Sequence, residues 1–285
     1  MHGPATSPGT LYVVATPIGN LQDVTLRALA VLQEVDAIAC EDTRQTRKLL
    51  DHHGIATRMV SYHEHNEQER AAELVAGLKQ GRRVAVVTDA GMPGISDPGY
   101  RVITLAIQHG VPVVPIPGAS AFLSALVASG LPTDAFRFAG FLPSRRGERR
   151  TVLGELLAAS ETQAFYEAPH RLRETLEDIV ETLGASRHVV VAREVTKLHE
   201  EFLRGPAEKV LAELASRDEV RGEITLLIAK ADATTEPLAK RKGIHERLEE
   251  VMREEALDEK AALKKVAKEF GFSKSEAYRR LQREK

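Results

Sequence analysis

Two α/β domains followed by a small, basic, helical tail are what this sequence predicts, and three observations predict it. Short apolar runs alternate with amphipathic stretches through residues 11–130. The rhythm then changes to strand candidates spaced closely enough to form hairpins. Finally, lysine and arginine accumulate at the C-terminal end. Strands separated by helices imply a parallel sheet, because each parallel step needs a crossover. Closer strands allow antiparallel pairing, so the second sheet is expected to be mixed.

The strand candidates of the first half are "LYVVAT", "DAIACE", "TRMVSYH", "RRVAVVT" and "VPVVPI". Between them lies "DVTLRALAVLQEV", whose Val24, Leu26, Leu29, Leu32 and Val35 recur near the helical period, with Asp23 placed to cap it. "TRQTRKLLDHHG" and "NEQERAAELVAGLKQG" end in Gly54 and Gly81, as helices do, and Asn66 is the expected cap of the second. "YRVITLAIQHG" and "PGASAFLSALVASG" complete the set. After "LPTDAF" come the strand candidates "RFAGFLP", "QAFYEAP", "HVVVAREV", "HEEFLRG" and "GEITLLIAK", with "RLRETLEDIVETLG" and "AEKVLAELASR" as helices. The expected organisation is a disordered lead-in over 1–10, α/β domains over 11–130 and 131–230, a linker over 231–243 and a tail over 244–285. In the tail, Ala262, Val266 and Ala267 share one helix, Gly271 makes a turn, Ser273 caps, and Ala277, Tyr278 and Leu281 share a second helix, the outline of a helix-turn-helix.

Composition sets the class. Of 285 residues, 43% are hydrophobic and 28% charged, the proportions of a globular chain. Cys40 is the single cysteine, which excludes an internal disulfide and fits a reducing, cytoplasmic setting. No apolar run approaches the roughly 20 residues of a membrane span, and "MHGPATSPGT" has no signal-peptide core. The net charge of −2 hides an asymmetry. Residues 240–285 hold 14 Lys/Arg against 10 Asp/Glu, while the rest hold 25 against 31. A basic end of this kind suits a polyanionic partner.

In open parallel sheets, ligands bind beyond the carboxyl ends of the strands. The loops there are "TPIGN", "EDTR", "HEHN", "DAGMPGISDPG" and "PGASA", which together hold five glycines, four prolines and no lysine. "DAGMPGISDPG" (89–99) is neither a Walker loop nor a dinucleotide fingerprint, because no Gly-Lys-Ser/Thr follows and its glycines are wrongly spaced. A lysine-free cradle of glycines points away from phosphate and toward an uncharged or cationic ligand. S-adenosylmethionine, with its sulfonium, fits, and Pro93 and Pro98 would fix the cradle in advance.

"LYVVATPIGNLQDVTLRAL", "EDTRQTRKLL", "SYHEHNE", "VTDAGMPGISDPGYR", "PIPGASA" and "FYEAPHR", in this order, closely resemble the ribosomal-RNA methyltransferases of the tetrapyrrole (corrin/porphyrin) methylase superfamily. The resemblance runs from about Leu11 to Ala229, with a counterpart for the tail. It implies a homodimer with S-adenosylmethionine in the cleft between two domains, and 2′-O-methylation of a cytidine, cytidine 1402, in 16S rRNA of the small ribosomal subunit. It places Pro17, Ile18, Gly19, Ala90, Gly91, Met92, Ile95, Ser120, Ala121, Tyr166 and Glu167 around the donor. Relatives acting on porphyrins carry aspartate where Met92 stands, so contact there is expected from backbone.

Attack by a ribose hydroxyl needs alignment and a base. The catalytic candidates are Glu41, Asp42 and Asp97, with His63, Glu167 and His170 also within reach of the cleft. Asp97 has a second reading, as cap of the helix after Gly99. Candidates for RNA contact are Arg44, Arg145, Arg146, His170, Arg171, Lys274, Arg279 and Arg280, with "SRRGERR" (144–150) read as a flexible basic loop or a solvated helix start. His63 and His65 have no thiol or third histidine motif beside them, and no metal site is read from them. Two rival functions use the same features: methylation of a tetrapyrrole, and nucleic-acid binding without catalysis.

Overall fold

A computed structural model of the protein describes residues 9–231, 248–249, 251–253, 257–269, 277, 279 and 281. Its first sheet holds β1 (Leu11–Val14), β2 (Ala37–Cys40), β3 (Met59–Ser61), β4 (Val84–Val86) and β5 (Val113–Ile116) in the order β3-β2-β4-β1-β5. Every pairing is parallel, and Leu11 stands opposite both Val84 and Val113. The helices α1 (Leu26–Glu34), α2 (Thr43–His52), α3 (Glu67–Lys79) and α4 (Tyr100–Gln108) make the crossovers. Covering both faces buries Leu11, Val14, Ala85 and Val86, hence the uninterrupted apolar runs.

The helix starts differ from expectation in two places. Asp23 does not cap α1. It ends a 3-10 turn, Leu21–Asp23, that Asn20 caps, and the chain then runs extended through Val24 and Thr25. The Thr25 hydroxyl accepts from the Ala28 amide at 3.1 Å and is the actual cap. Asn66 stands before α3, but its Oδ1 accepts from the His63 amide at 2.9 Å, closing the "HEHN" turn instead of the helix. Gly54 and Gly81 end their helices with φ of 66° and 93°. Of the expected lead-in, residues 9 and 10 are ordered: the Gly9 amide donates to Leu78 O and Thr10 O accepts from Val84. Residues 1–8 lie outside the described set.

The second sheet holds β6 (Phe136–Phe141), β7 (Thr162–Glu167), β8 (His188–Arg193), β9 (Glu201–Pro206) and β10 (Ile224–Ile228), in the order β6-β7-β10-β8-β9. Only β6–β7 is parallel, and β8 and β9 form the expected hairpin. On one face, α6 (Arg146–Glu155), α7 (Leu172–Leu183) and α8 (Ala207–Ala215) bury Leu153, Leu176, Ile179 and Val210 against Phe165, Val191 and Leu226. On the other lies α5 (Ala121–Ser129), which follows the first sheet in the chain. Its Ala125 and Leu126 share a core with Ala164, Val190, Ala192 and Leu227, and so fasten the two sheets together.

The "SRRGERR" segment is not a flexible loop. It enters α6, and three of its four arginines meet the acids of α7. Arg146 Nε donates to Asp178 at 2.8 Å, Arg150 Nη1 to Glu181 at 2.7 Å, and Arg149, 0% exposed, to the other Asp178 oxygen at 2.8 Å. In the tail, α9 (Glu259–Glu269) buries Ala262, Leu263, Val266 and Ala267 with Leu248, Val251, Ala277 and Leu281. Arg279 is exposed on its helix. The expected turn at Gly271, the cap at Ser273, and Lys274, Tyr278 and Arg280 lie outside the described residues. Among those described, no helix is long and apolar enough to cross a membrane.

Candidate functional site

The loops beyond the first sheet meet one end of the second sheet around a cavity of about 360 Å³. The first sheet contributes Ile18, residues 90–92 and 95–97, Ser120 and Ala121. The second contributes Phe141, residues 166–169, Val195 and residues 222–225. The size is that of a cofactor pocket, and among the described residues no lysine or arginine lines it.

Backbone holds the 89–99 loop in place. Thr16 and Gly91 exchange amide-to-carbonyl bonds of 2.9 and 3.1 Å, and the Thr16 hydroxyl donates to Thr88 O at 3.0 Å. Gly91 takes φ 84°, and Gly99 takes φ 140° where a Cβ would lie 3.1 Å from the Gly94 amide nitrogen. Only glycine takes that conformation in that space without moving its neighbours. Ser96, a non-glycine at φ 61°, is held in a strained conformation of the sort that collects at functional sites.

A second cavity, of about 380 Å³, adjoins the first and shares Ile18, Ala90 and Glu223 with it. Pro17, Gly19, Gln45, Lys48, Thr88, Asp89 and Lys197 are among its walls. Of the residues expected around the donor, nine line the first cavity: Ile18, Ala90, Gly91, Met92, Ile95, Ser120, Ala121, Tyr166 and Glu167. Pro17 and Gly19 line the second. Glu167 turns its carboxylate away from solvent. Its Oε1 accepts from the Ala168 amide at 2.7 Å and from Arg171 Nε at 2.9 Å, and its Oε2 from the Thr175 hydroxyl at 2.7 Å. It therefore fastens β7 to α7 and has no free oxygen for a proton. Tyr166 forms an aromatic wall with Phe138 and Phe141, at centroid distances of 4.9 and 5.6 Å.

The carboxylate candidates separate by environment. Asp42 is the cap of α2. It accepts from the Arg44 amide at 2.8 Å and binds the Arg44 guanidinium through both oxygens, and these bonds hold its carboxyl down at about 2. A group so committed is a poor base. Asp97 does not cap α4: Gly99 holds the cap position, with no side-chain bond. Asp97 instead lines the cavity. Burial, then the Glu41 charge, push its carboxyl up to about 6, with the Thr88 hydroxyl pulling partly the other way. Glu41 is raised too, by burial first and then by Asp89. Its Oε2 accepts from the Thr88 hydroxyl at 3.2 Å, although Glu41 itself lines neither cavity.

The cation candidates lie mostly at the rim. Arg44 is 88% exposed beyond its pair with Asp42, and Arg145, 82% exposed, pairs with Glu148 at 3.1 Å. Arg145 follows Phe141, a cavity residue, by four positions. Arg146 is engaged by Asp178 and Glu181, and Arg171 by Glu167. His170 is exposed beside Pro169, another cavity residue. His63 is held in the "HEHN" turn, with its Nε2 3.3 Å from Asn66 Nδ2. Among the described residues, no cluster of three His, Cys, Asp or Glu is arranged to hold a metal ion.

Some walls were not foreseen from the sequence. Residues 222–225, Val195 and Lys197 reach the site from the β8–β9 loop and from the start of β10, and Thr88 and Asp89 end the β4 run. The attention given to strand-end loops would have found the last two.

Comparison with known proteins places this geometry in a family. The model of the family described as Tetrapyrrole (Corrin/Porphyrin) Methylases matches residues 10–211. A Ribosomal RNA small subunit methyltransferase I from Halalkalibacterium halodurans is 52% identical over 229 residues, 80% of this chain and 78% of that protein. One of the same name from Mesorhizobium japonicum is 48% identical over 271 residues, 95% of this chain and 90% of the relative. Among solved structures, the methyltransferase CobJ superposes with a TM-score of 0.58 at 22% identity, covering 78% of this chain and 95% of that one. Uroporphyrin-III C-methyltransferase from Thermus thermophilus, complexed with S-adenyl homocysteine, gives 0.54 at 19% identity, over 78% and 97%.

Proposed function

Because the chain belongs to the tetrapyrrole (corrin/porphyrin) methylase family, we propose that it methylates the ribose 2′-hydroxyl of a cytidine in 16S rRNA, with S-adenosylmethionine as donor. The target is cytidine 1402 of the small ribosomal subunit, and the enzyme works in the cytoplasm as a homodimer. The observation that carries the methyl-transfer reading is the first cavity: glycine-turned backbone, apolar and aromatic walls, no lysine or arginine, and one half-buried carboxylate. The relatives' shared name supports RNA as the acceptor.

Bound there, S-adenosylmethionine supplies an electrophilic methyl group on a sulfonium. Ile18, Gly91, Met92, Ile95, Ala121 and Tyr166 hold the nucleoside, the glycine turn permitting close approach of backbone. Asp97 accepts the 2′-hydroxyl proton as the oxygen–carbon bond forms and the carbon–sulfur bond breaks. A carboxyl near 6 is ionised at neutral pH yet more basic than an ordinary aspartate, as a general base requires. Glu167 and Asp42 serve structure. The apolar residues Leu123, Val127 and Phe136, exposed on α5 and β6, are a surface a second copy can cover.

The test is incubation with labelled donor and small subunits lacking the modification, followed by mapping of the methylated nucleotide. Label on ribose at the target cytidine is expected, and label on a porphyrinogen alone overturns the RNA reading. Removing residues after Gly243 should weaken subunit binding and preserve donor binding. Loss of donor binding in that truncation overturns an RNA-contacting role for the tail.

A further inference from the structure

The first cavity is the inner end of a longer path. The second cavity shares Gly19, Leu21 and Lys197 with an open groove that runs on past Asn20, Gln22, His52, Thr196 and Leu198. We propose that the second cavity and this groove seat a single-stranded RNA segment, with Lys197 holding the phosphate beside the reacting ribose. This rests on the RNA-methylation reading above and moves Pro17 and Gly19 from the donor to the acceptor side.

Five observations carry it. Among the described residues, Lys48 and Lys197 are the only lysines or arginines lining the two cavities and the groove, and neither touches the first cavity. A phosphate on this path therefore meets an ammonium partner, which the first cavity does not offer among the described residues. Lys197 is placed by design of the backbone: its stem crosses Gly19 so closely that a Cβ there would lie 2.4 Å from Lys197 Cγ. Its Nζ contacts Glu194 at 2.8 Å and Glu223 at 3.2 Å, which leaves the third of its ammonium hydrogens for a ligand.

The loop that carries Lys197 is also rigid. Glu194 and Thr196 hold φ of 52° and 70°, the Thr196 amide donates to Glu200 at 2.7 Å, and Glu194 accepts from the Glu223 amide at 2.8 Å. On that fixed loop Leu198 is 93% exposed, an apolar side chain offered to solvent at the groove. Unstacked bases in single-stranded RNA bury their faces on surfaces of this kind.

The experiment follows binding of a short fluorescein-labelled single-stranded oligoribonucleotide spanning the target cytidine, by anisotropy at several salt concentrations. Lys197→Gln should weaken binding and flatten the salt slope by about 0.7, the loss of one phosphate contact. Leu198→Asp, at a side chain 93% exposed, should weaken it as well. Donor affinity by calorimetry should stay within about twofold, under 0.5 kcal/mol, in both variants. Unchanged RNA affinity in both, no RNA binding by the unaltered protein, or parallel loss of donor affinity overturns the assignment. An unaltered protein that binds the strand through these residues but transfers no label to it would instead overturn the methylation reading.

Discussion

The Thr88 hydroxyl donates to Glu41 at 3.2 Å, and this bond joins the ends of β4 and β2 beside Asp97. The two carboxyl groups are partly buried and lie within reach of the exposed Asp89, and each negative charge makes the next more costly. Asp97 alone of the pair reaches the cavity. With Asp97 as the proposed base, Glu41 bears on the reaction through the charge it places next to Asp97.

Asp97→Asn removes the base and keeps the shape. Methyl transfer should fall by about 10²- to 10⁴-fold. Donor affinity, measured by calorimetry, should hold, because the cradle is made of backbone. Full activity in this variant would assign the proton to another group.

The rate should follow the ionisation of Asp97. kcat/KM is expected to rise with pH and level off above about 6, where the carboxyl is charged. In Glu41→Gln the rise should move to lower pH, since the neighbouring charge that lifts Asp97 is gone. Stability should run the other way. The folded value of Asp97 lies above its ordinary 3.8, so its protonated form stabilises the fold below that value and the gain is lost as pH rises through about 6. Asp97→Asn should therefore melt above the unaltered protein at neutral pH, and the difference should close toward pH 4.

Asp178 is wholly buried between Arg146 and Arg149, and Arg149 has no solvent to fall back on. Asp178→Asn leaves that cation only the more distant Glu174, at 3.7 Å, and should cost about 3 kcal/mol in urea unfolding. Arg149→Met with Asp178→Leu should recover much of the loss, because an apolar pair of similar volume replaces a buried ion pair at little cost.

Gly99→Ala should loosen the donor cradle. Its Cβ would meet the Gly94 amide nitrogen at 3.1 Å in a conformation alanine avoids, so donor affinity should drop about tenfold or more. Gly130→Ala is the control: φ is also positive, at 79°, but the space is open. It should cost about 1 kcal/mol of stability and no donor affinity.

Each of the ten strand candidates carries a strand, and in β1, β4, β8 and β10 burial on two faces leaves its signal in consecutive apolar residues. The strand-end loops were legible for the same reason, as every one of them leaves the same edge of a parallel sheet. What the order of residues did not carry was partnership across distance. "SRRGERR" looked basic because Asp178 and Glu181, some thirty residues on, neutralise it only once α6 lies on α7. Lys197 and residues 222–225 were overlooked because their place beside Gly19 depends on how the second sheet is ordered and seated. Asp97 was legible as a choice between cap and cavity, and only the positive φ of Gly99, ahead of α4, decides it.

The pair of bonds between Thr16 and Gly91 involves no side chain beyond the Thr16 hydroxyl. A pocket shaped that way keeps its form while the residues facing the acceptor are exchanged. In a scaffold built this way, a change of acceptor and the keeping of the cradle are separable events.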